Sequence, residues 1–523
     1  MTGMRELPLL PGERERVAAR ALTGPPPRPA APGDTVTAWL TAHAAAHPDR
    51  PAVVHGEATV TYGQLLARVG HFADALGAAG IAPGDRVAVT AARGADVIAA
   101  FAALENAGAV YLPLDAGWPG DRLTRVLRGS GARAVLHLGG EDPGAAAGRA
   151  GVPVLRAGPG GGTAPRPRAV TGDEPRYVIH TSGSTGAPKG AVVGHRGMMN
   201  HLWFMVDALR LAAGERVAFT APLSYVISVW QMLAAPLAGG TVVVVDDADL
   251  LFPRRLHDVL LTGGVTVLQL VPSAIGPLAD HLTRRGGGPG RLARLISTGE
   301  VLTPALAARA LAAFDGVELI NAYGATECSD DVTHHTVVAG DLGERVPIGR
   351  PVAGATLHLL VEEAAGWRAA EPGEVGELWV GGLPVGLGYL DRPELTGTRF
   401  FADGRGGRLY RTGDLARFAD GLAYCLGRAD RQVKIAGARI ELGAVEAELA
   451  RHPAVRSCAV TTGGDPERPC LTAHFVADED TGWQELRDHL RAALPAAMIP
   501  QRWVAHRELP LNRSGKTDYA ALR

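Results

Sequence analysis

Short apolar segments alternate with segments of helical periodicity over most of this chain, and this alternation restricts the fold more than any other feature. The segments RVAVTA (86–91), RYVIHTS (176–182) and TVVVVDD (241–247) have the composition of buried strands. Between two such segments, ADVIAAFAALENAGA (95–109) repeats its apolar residues at helical spacing. Strands and helices in alternation predict layered α/β structure with mostly parallel sheets.

The chain length and a change of pattern near residue 430 predict more than one domain. A chain of 523 residues exceeds what one hydrophobic core usually organises. After residue 430, strand candidates combine with a short helix pattern and an amphipathic helix at 483–494, which indicates a small α+β domain. Because residues 1–33 become proline-rich, we expect a leader and stiff linker there, followed by a large domain at 34–429 and a small one at 430–523.

Charge and hydropathy argue against a nucleic-acid or membrane partner. The formal net charge is −2, so no basic field is present. No apolar run approaches the roughly 20 residues of a membrane span, and the N-terminal segment lacks the features of a secretory signal. The four cysteines are far apart and show no paired metal spacing, so we expect reduced thiols in a cytoplasmic protein.

Lysine is rare in this chain, and each lysine lies in a distinctive motif. A compact ammonium on a flexible stem is not interchangeable with a planar guanidinium, so the distribution indicates sites that need a point charge. The three lysines are Lys189 in TSGSTGAPKG (181–190), Lys434 in QVKIAGARIELG (432–443) and Lys516 in NRSGKTD (512–518).

The segment 181–190 has the composition of a phosphate-binding loop after a strand candidate. Its glycines let backbone N–H groups approach a polyphosphate, its hydroxyls add donors, and Lys189 adds positive charge. The spacing differs from that of a P-loop NTPase, which disfavours that fold. The candidate phosphate-binding residues are Thr181, Ser182, Gly183, Ser184, Thr185, Gly186 and Lys189.

Two further segments combine groups that suit a nucleotide. NAYGATE (321–327) carries Tyr323, whose ring could stack on a base, and Glu327, whose carboxylate would suit magnesium. YRTGDLARF (410–418) carries Asp414, which could accept hydrogen bonds from ribose hydroxyls. Taken alone, either segment could equally be an ordinary loop or turn.

These motifs resemble, in order and over nearly the whole chain, those of the adenylate-forming superfamily, and within it the adenylation domains of nonribosomal peptide synthetases. Several independent motifs in the right sequence make chance similarity negligible. The other matching motifs are VTYGQL (60–65), LENAGAVYLPLD (104–115), GELWVGG (376–382), GRADRQVKIAGARIELG (427–443) and LPAAMIP (494–500).

The resemblance implies a reaction in two steps on a large domain and a small mobile one. A carboxylic acid and ATP·Mg²⁺ would give an acyl adenylate and pyrophosphate, and a thiol would then take the acyl group. The implied hinge is Asp430 and the implied catalytic lysine is Lys516, whose ammonium would offset charge developing between carboxylate and α-phosphate. A role in thiol transfer and a purely structural role stay equally open for Lys434.

The remaining implied roles belong to the nucleotide and magnesium site. They are magnesium binding for Glu327, with Thr326 beside it in the catalytic motif; adenine packing for Tyr323, with Gly324 next to it; ribose binding for Asp414; and contact with ribose or phosphate for Arg428.

The acid pocket departs from the pattern of family members that activate amino acids. Those members usually read Ser-Phe-Asp-x-Ser-Val-Trp, where the aspartate pairs with the α-ammonium of the substrate. This chain reads SYVISVW (224–230), with Val226 at the aspartate position. An unpaired ammonium in a pocket costs several kcal/mol, so an ordinary α-amino acid is disfavoured; the alternative is an inactive or relaxed pocket.

The pocket positions implied by the resemblance are mostly neutral, but two of them are adjacent carboxylates. Asp330 and Asp331 either bind a displaced or distal amine, or lie in solvent as part of a loop or helix cap. With Val226, the first alternative predicts a basic β-amino, ω-amino or guanidino acid such as β-lysine. The positions are Val226, Ile227, Trp230, Gln269, Ile296, Thr298, Ala322, Asp330 and Asp331, with Lys516.

The resemblance also bears on the acceptor thiol. No carrier segment follows Lys516 in the sequence, so we expect a stand-alone enzyme that loads the phosphopantetheine arm of a separate carrier protein in natural-product biosynthesis, such as that of an antibiotic. The alternatives are an acyl- or aryl-CoA ligase and an enzyme that adenylates a keto or aryl acid.

Overall fold

A computed structural model shows layered α/β architecture, with three large sheets before residue 430 and two small sheets after it. Residues Ser182 to Gly186 of the predicted phosphate loop, and the predicted catalytic residue Lys516, lie outside the residues that the structure describes. Those are 4–29, 31, 33–115, 117–157, 160–170, 172–181, 188–286, 288–465, 468–478, 481–510 and 517–522.

The first part of the chain alternates strands and helices. In chain order the elements are β1 (Arg5–Glu6), α1 (Glu13–Ala19), β2 (Leu22–Thr23), α2 (Val36–Ala46), β3 (Pro51–His55), β4 (Ala58–Thr61), α3 (Tyr62–Ala78), β5 (Arg86–Thr90), α4 (Ala95–Ala107), β6 (Val110–Leu114), α5 (Gly120–Ser130), β7 (Ala134–His137), α6 (Gly144–Ala150) and β8 (Val154–Arg156). Strand β5 and helix α4 lie where the apolar patterns predict a strand and a helix.

The middle of the chain continues the alternation and ends in an antiparallel return. The elements are β9 (Pro175–Thr181), β10 (Lys189–Gly194), α7 (His195–Ala208), β11 (Arg216–Phe219), α8 (Ile227–Leu237), β12 (Thr241–Val244), α9 (Asp247–Leu250), α10 (Pro253–Thr262), β13 (Val267–Leu270), α11 (Pro272–Arg285), β14 (Arg294–Ser297), α12 (Pro304–Ala313), β15 (Glu318–Ala325), β16 (Asp330–Thr336) and β17 (Arg350–Pro351), with short 3₁₀ helices at Thr326–Cys328 and Ala339–Asp341.

Strands dominate the rest of the chain, which includes the small C-terminal domain. The elements are β18 (Ala355–Glu363), β19 (Gly366–Ala369), β20 (Gly376–Gly382), β21 (Gly388–Tyr389), α13 (Pro393–Arg399), β22 (Phe400–Ala402), β23 (Arg408–Ala419), β24 (Leu422–Arg428), β25 (Gln432–Ile435), β26 (Ala438–Glu441), α14 (Leu442–Leu449), β27 (Val455–Asp465), β28 (Arg468–Ala477), α15 (Trp483–Ala493) and β29 (Arg502–Ala505), with a 3₁₀ helix at Ala496–Met498.

Two large sheets are mostly parallel, as the sequence predicts. Their strand orders are β21-β10-β9-β6-β5-β7-β8 and β17-β16-β15-β14-β13-β11-β12-β3-β4. Helix α4 is buried continuously from Val97 to Glu105, because a helix that is apolar on nearly every side packs between layers rather than against solvent. Its side chains share one core with helices α3, α7 and α8 and with strands of both sheets.

The third sheet is antiparallel apart from one edge pair and was not predicted from the sequence. Its order is β1-β22-β23-β20-β18-β19, with β2 on β18 and β24 on β23. The described part of the segment expected to be a leader therefore belongs to the large domain. Its apolar residues Leu7 and Val17 pack with Trp367 and Trp379, and this burial corrects the prediction of a separate leader.

The small C-terminal domain has a core of its own. Residues of β25, β26, α14, β27, β28 and α15 pack together, and α15 buries Leu486 and Leu490 as its amphipathic pattern predicts. Asp430, the predicted hinge residue, lies between the end of β24 and the start of β25. Within the described residues, we find no helix of the length and hydropathy that a membrane crossing needs.

Candidate active site

The predicted nucleotide and acid motifs meet at the corner where β15 turns back into β16. Tyr323 lies within β15, Glu327 lies in the 3₁₀ helix that follows, and Asp330 begins β16. A Cβ atom on Gly324 would lie 1.9 Å from the carbonyl oxygen of Asp330, so only glycine fits there. Asp330 has φ of 104°, a strained value for an L-residue of the kind found at functional sites.

Glu327 is fully buried and surrounded by donors. The Tyr389 hydroxyl donates to its Oε1 at 2.7 Å, Arg439 Nη1 donates to its Oε2 at 2.9 Å, and Lys189 Nζ lies 3.6 Å from Oε1. Burial alone would raise the pKa of Glu327, but the charges of Arg439 and Lys189 and the bond from Tyr389 hold the pKa well below its ordinary value. Glu327 is therefore an ionised carboxylate.

Lys189, the lysine of the predicted phosphate loop, opens β10 next to this carboxylate. Burial and then the charge of Arg439 lower the pKa of Lys189 to about 8, although the charges of Glu327 and Glu441 act in the opposite direction. Thr181 ends the neighbouring strand β9. The described ends of the predicted phosphate loop thus both reach the active site.

The β25–β26 hairpin of the small domain is docked over this corner. Arg439 reaches Glu327 from β26, and the backbone N–H of Gly437 donates to the Glu300 carboxylate at 3.2 Å. Lys434 is buried, with Nζ 5.6 Å from the centre of the Tyr323 ring. The docked hairpin therefore brings two cations of the small domain to the site.

The chemistry of Glu327 fits a magnesium ligand, because the ion prefers ionised carboxylate oxygens. Tyr389 already holds one of its oxygens and Arg439 holds the other. Glu327 would hold a magnesium ion through its carboxylate, and Arg439 of the β25–β26 hairpin would compete with the ion for that carboxylate.

A cavity of about 410 Å³ contains the residues predicted to bind adenosine. Tyr323 donates its hydroxyl hydrogen to Asp414 Oδ2 at 2.5 Å, and Arg428 Nη1 donates to Asp414 Oδ1 at 2.9 Å. Asp414 lies in the long strand β23 and is buried, so it is neither a turn residue nor a helix cap. Ala322 and Lys434 also line this cavity.

Arg428 connects the nucleotide site to the predicted hinge. Its Nε donates to Asp430 Oδ1 at 2.6 Å while its Nη1 holds Asp414. Burial would raise the pKa of Asp430, but the hydrogen bond and charge of Arg428 lower it to about 2. A movement of the hinge would therefore disturb Arg428, which also holds Asp414, the residue predicted to bind ribose.

A second cavity of about 310 Å³ contains most of the predicted acid-binding residues. Val226 and Ile227 at the start of α8, Thr298 after β14, and Asp330 and Asp331 on β16 all line it. These positions lie at the carboxyl ends of parallel strands, where ligands of open α/β sheets usually bind.

Of the other predicted pocket residues, Ala322 lines the adenosine cavity instead, and Trp230, Gln269 and Ile296 do not line the acid cavity. Trp230 Nε1 donates to Gln269 Oε1 at 2.7 Å, and Gln269 Nε2 donates to Asp331 Oδ2 at 3.4 Å. Ile296 belongs to the large core and lines neither of the two cavities. Trp230 and Gln269 support the wall of the acid cavity through Asp331.

Asp331 is buried, with only 1% of its surface exposed, and both of its oxygens are bonded. Thr298 Oγ1 donates to Oδ1 at 3.2 Å, Gln269 Nε2 donates to Oδ2, and His334 Nε2 lies 3.3 Å from Oδ2. Burial would raise the pKa of Asp331, but the hydrogen bond and charge of His334 hold the pKa below its ordinary value.

Asp330 has far fewer partners, although only 4% of its surface is exposed. Among the described residues, its Oδ2 has no hydrogen-bond partner, and His201 Nε2 is 3.6 Å away. Burial and then the charge of Asp331 raise the pKa of Asp330 to about 7. The alternative that both aspartates lie in solvent is therefore wrong.

Four residues at these sites were not predicted from the sequence: Tyr389, Arg439, Glu300 and His201. Arg439 lies in the same motif as Lys434, QVKIAGARIELG (432–443), and this position could have indicated that Arg439 belongs to the site. Tyr389, Glu300 and His201 are far along the chain from the residues that they face, so only the fold reveals them.

Comparison with known proteins identifies the class to which these sites belong. A family model described as AMP-binding enzyme matches residues 40–390, and one described as AMP-binding enzyme C-terminal domain matches residues 444–516. Phosphinothricin tripeptide synthetase PhsB of Streptomyces viridochromogenes is 37% identical over 504 residues, and tyrocidine synthase 3 of Brevibacillus parabrevis is 35% identical over 492 residues. The matches span 94% and 92% of this chain but 42% and 7% of those proteins, so the chain corresponds to less than half of either relative.

Solved structures have the same fold. Holo-PA1221, described as a nonribosomal peptide synthetase (NRPS) protein containing adenylation and PCP domains bound to vinylsulfonamide inhibitor, superposes with a TM-score of 0.82 at 29% identity. The match covers 93% of this chain and 84% of that one. IdnL1 superposes with a TM-score of 0.76 at 30% identity, covering 91% of this chain and 98% of IdnL1.

Proposed function

This chain belongs to the AMP-binding enzyme family and is an ATP-dependent ligase that adenylates an acid as NRPS adenylation domains do, and we propose that its acid is basic and lacks an α-amino group in the usual place. A β-amino acid such as β-lysine fits, as does an ω-amino or guanidino acid. The observation that carries the proposal is that Val226 lines the same cavity as Asp330 and Asp331.

The acid cavity has no negative charge at Val226, where amino-acid-activating members have an aspartate, and carries it at Asp330 and Asp331 instead. A valine cannot offset an α-ammonium, and a buried ammonium without a partner costs several kcal/mol. Asp330 and Asp331 offer that partner elsewhere on the wall. The cavity is also lined by Arg122, Arg428, Lys434 and Arg439. Arg439 is held by Glu327 and Arg428 by Asp414, and the strongest favourable charges on Arg122 and Lys434 are those of Asp115 and Asp414. Lys434 also acts on Asp330, but less strongly than His201.

In the first half-reaction that we propose, an oxygen of the substrate carboxylate attacks the α-phosphorus of ATP and the bond to pyrophosphate breaks. Tyr323 and Asp414 would hold the nucleoside, since the second lone pairs of the Asp414 oxygens suit ribose hydroxyls. Lys189 and Lys516 would supply positive charge toward the phosphates and the attacking carboxylate. Magnesium held by Glu327 would offset the charge of the phosphates.

In the second half-reaction, a thiolate would attack the acyl carbonyl and AMP would leave. We propose the phosphopantetheine thiol of a carrier protein as the acceptor, because the relatives are peptide synthetases and structures such as PA1221 contain PCP domains. The docked position of the β25–β26 hairpin suits the thiol-transfer step, because Arg439 then holds the Glu327 carboxylate that magnesium would need for adenylation.

Substrate-dependent ATP–pyrophosphate exchange tests the acid. The panel contains β-lysine (3,6-diaminohexanoic acid), 6-aminohexanoic acid, a guanidino acid, α-lysine, hydrophobic α-amino acids, keto acids and aryl acids. We expect exchange with a basic acid that lacks an α-amine. Exchange confined to common α-amino acids, or to aryl or keto acids, would contradict the substrate proposal while leaving the adenylation chemistry intact.

The acceptor is tested separately with the acid that gives exchange. The enzyme is offered a phosphopantetheine-loaded carrier protein or coenzyme A, and the thioester is detected by mass spectrometry. We expect acylation of the carrier. Faster transfer to coenzyme A would instead identify an acyl-CoA ligase.

A further inference from the structure

His201 on helix α7 faces the aspartate pair from behind the acid cavity. It is buried, and its Nε2 lies 3.6 Å from Asp330 Oδ2. Neither ring nitrogen has a hydrogen-bond partner among the described residues. A buried imidazole without a hydrogen bond is costly, and the carboxylate oxygen that it approaches is also unpartnered. The two groups are therefore placed to share a proton.

Asp330 and Asp331 differ in how many further hydrogen bonds their carboxylate oxygens can accept. Asp331 already takes hydrogen bonds from Thr298 and Gln269 and has His334 beside it. Asp330 has an oxygen with capacity left and lines the same cavity. A cation that enters the cavity would consequently find its strongest new contact at Asp330.

The charged and titratable groups around Asp330 come from four elements. Asp331 is its neighbour on β16, His201 approaches from α7, Lys434 from β25 and Tyr177 from β9. His334 faces Asp331, and the strongest favourable charge on Lys434 is that of Asp414. His201 is thus the cationic partner that acts most directly on Asp330.

We propose that His201 and Asp330 form a proton-holding pair that releases one proton to solvent when the ammonium group of the substrate binds Asp330. The proposal rests on the proposed function, because it requires a cationic substrate. No covalent bond of the substrate changes, and the ammonium takes the place of the proton beside the Asp330 carboxylate. His201 is a positioning residue, since it adjusts the charge of Asp330 without contacting the substrate.

This pairing makes recognition of the acid depend on pH. The pKa of Asp330 is raised to about 7 by burial and by Asp331, so the carboxyl is largely protonated below that pH before substrate arrives. Binding must then displace a proton, and the apparent Kd rises roughly tenfold for each pH unit below this range. Above it, Asp330 is already ionised and the Kd stays level until the substrate amine loses its own proton.

Isothermal titration calorimetry measures the released proton directly. The full chain, saturated with Mg²⁺ and a non-hydrolysable ATP analogue, is titrated with 3,6-diaminohexanoic acid at pH 6.5 in MES and in imidazole, and at pH 8.5 in EPPS and in Tris. These buffers have different heats of protonation, so the difference in binding heat gives the number of protons released. We expect about half to one proton at pH 6.5 and nearly none at pH 8.5.

Two variants assign the proton and one serves as the control. His201→Gln removes the cationic partner, so the pH midpoint of Kd should rise by roughly one unit and binding at pH 7.5 should weaken about threefold, with recovery near pH 9. Asp330→Asn should abolish proton release. His335→Gln on the same strand should match the original protein, because His335 pairs with Asp341 at 2.8 Å instead.

The outcomes separate this inference from the proposed function. Tight binding with equal heats in both buffers, or a pH profile that His201→Gln leaves unchanged, overturns the proton-holding pair while a basic substrate stands. If His201→Gln does not fold, the heats of Asp330→Asn decide alone, and undiminished proton release overturns the inference. A stoichiometric transition metal that His201→Gln removes would also overturn it, and binding of no basic acid overturns both proposals.

Discussion

Glu327 and Asp330 lie three residues apart, and both carboxylates are buried, yet their pKa values move in opposite directions. Burial acts on both in the same direction, so the partners make the difference. Glu327 is held by Arg439, Lys189 and Tyr389. Asp330 has another carboxylate beside it and a single imidazole at 3.6 Å. A carboxylate with fixed partners keeps its charge, and one with few partners can respond to a ligand.

The partners of these two carboxylates also come from different parts of the molecule. Arg439 belongs to the small domain, so the surroundings of Glu327 depend on whether the β25–β26 hairpin is docked. The two strongest partners of Asp330, Asp331 and His201, belong to the large domain, and Lys434 of the hairpin acts on it less strongly. We therefore expect domain movement to act on the step that Glu327 serves and to leave recognition at Asp330 largely unaffected.

The largest expected effect is that of removing the charge of Glu327. Glu327→Gln leaves Arg439 and Lys189 buried without their counterion and should lower the free energy of unfolding by about 3 kcal/mol at pH 7. Because the folded-state pKa of Glu327 is depressed, its stabilisation is present above the ordinary pKa of 4.5 and is lost as pH falls. Urea unfolding at pH 7 and pH 4 measures both effects.

A surface carboxylate gives the matched control for Glu327. Glu371 pairs with Arg16 and Arg20 but is about half exposed, so Glu371→Gln should cost much less stability than Glu327→Gln. Adenylation should also fall by on the order of 100-fold in Glu327→Gln alone. Equal stability losses in the two variants would show that the partners of Glu327 do not hold its charge.

Removal of the Asp330 charge should raise the free energy of unfolding, whereas removal of the Glu327 charge should lower it. The folded-state pKa is raised from 3.8 to about 7, so the stability that comes from its bound proton is full below pH 3.8 and is lost as pH rises toward 7. Asp330→Asn should therefore raise the free energy of unfolding at pH 8 by about 1 kcal/mol. ATP–pyrophosphate exchange with the basic acid should meanwhile fall roughly 10- to 100-fold.

The adjacent aspartate sharpens this prediction. Asp331→Asn disturbs acceptors that Thr298, Gln269 and His334 already use, so it should lower stability by about 1 kcal/mol. Chemical unfolding of both variants at pH 8 makes the test. If both substitutions changed the free energy of unfolding in the same direction, the two carboxylates would be equivalent and their different partners would not affect stability.

Arg439→Met tests whether the docked hairpin serves only the thiol step. Loss of the bond to Glu327 should slow acyl transfer to the carrier about tenfold and leave exchange with the acid within about twofold of the original rate. Single-turnover transfer and equilibrium exchange measure the two steps. Arg451→Met, which removes the pair between the exposed Arg451 and Glu448 inside the small domain, should change neither.

Val226→Asp adds a carboxylate to the acid cavity at the position of Val226 and tests the choice of substrate. The new group could pair with an α-ammonium, so exchange with α-lysine should rise several-fold relative to β-lysine. Val226→Asn, which has the same shape without the charge, should leave that ratio unchanged. A ratio that rises equally in both variants would show that space, rather than charge, sets the preference.

The family and the α/β fold class follow from the sequence, and the comparisons confirm both. The apolar alternation locates β5 and α4, and the order of the motifs predicts the residues of the nucleotide and acid sites. The contrast between Glu327 and Asp330 could not be predicted in that way. It depends on Tyr389, Arg439 and His201, which reach the corner from other elements, and on a strained backbone at Asp330 that no local pattern indicates.

The smallest expected effect concerns the turn that presents Arg439 to Glu327. Ala436 and Gly437 form the two-residue loop between β25 and β26, with φ of 48° and 75°. Such a loop favours Asn-Gly, because asparagine tolerates the left-handed region better than alanine. Ala436→Asn should stabilise the small domain by about 0.5 kcal/mol, and Ala436→Val should destabilise it, because a β-branched residue is poorly suited to positive φ. Since the hairpin contacts Glu327 and not Asp330, acyl transfer should follow this order while the Kd of the acid stays constant. A change in that Kd would show that the two carboxylate sites are coupled through the hairpin.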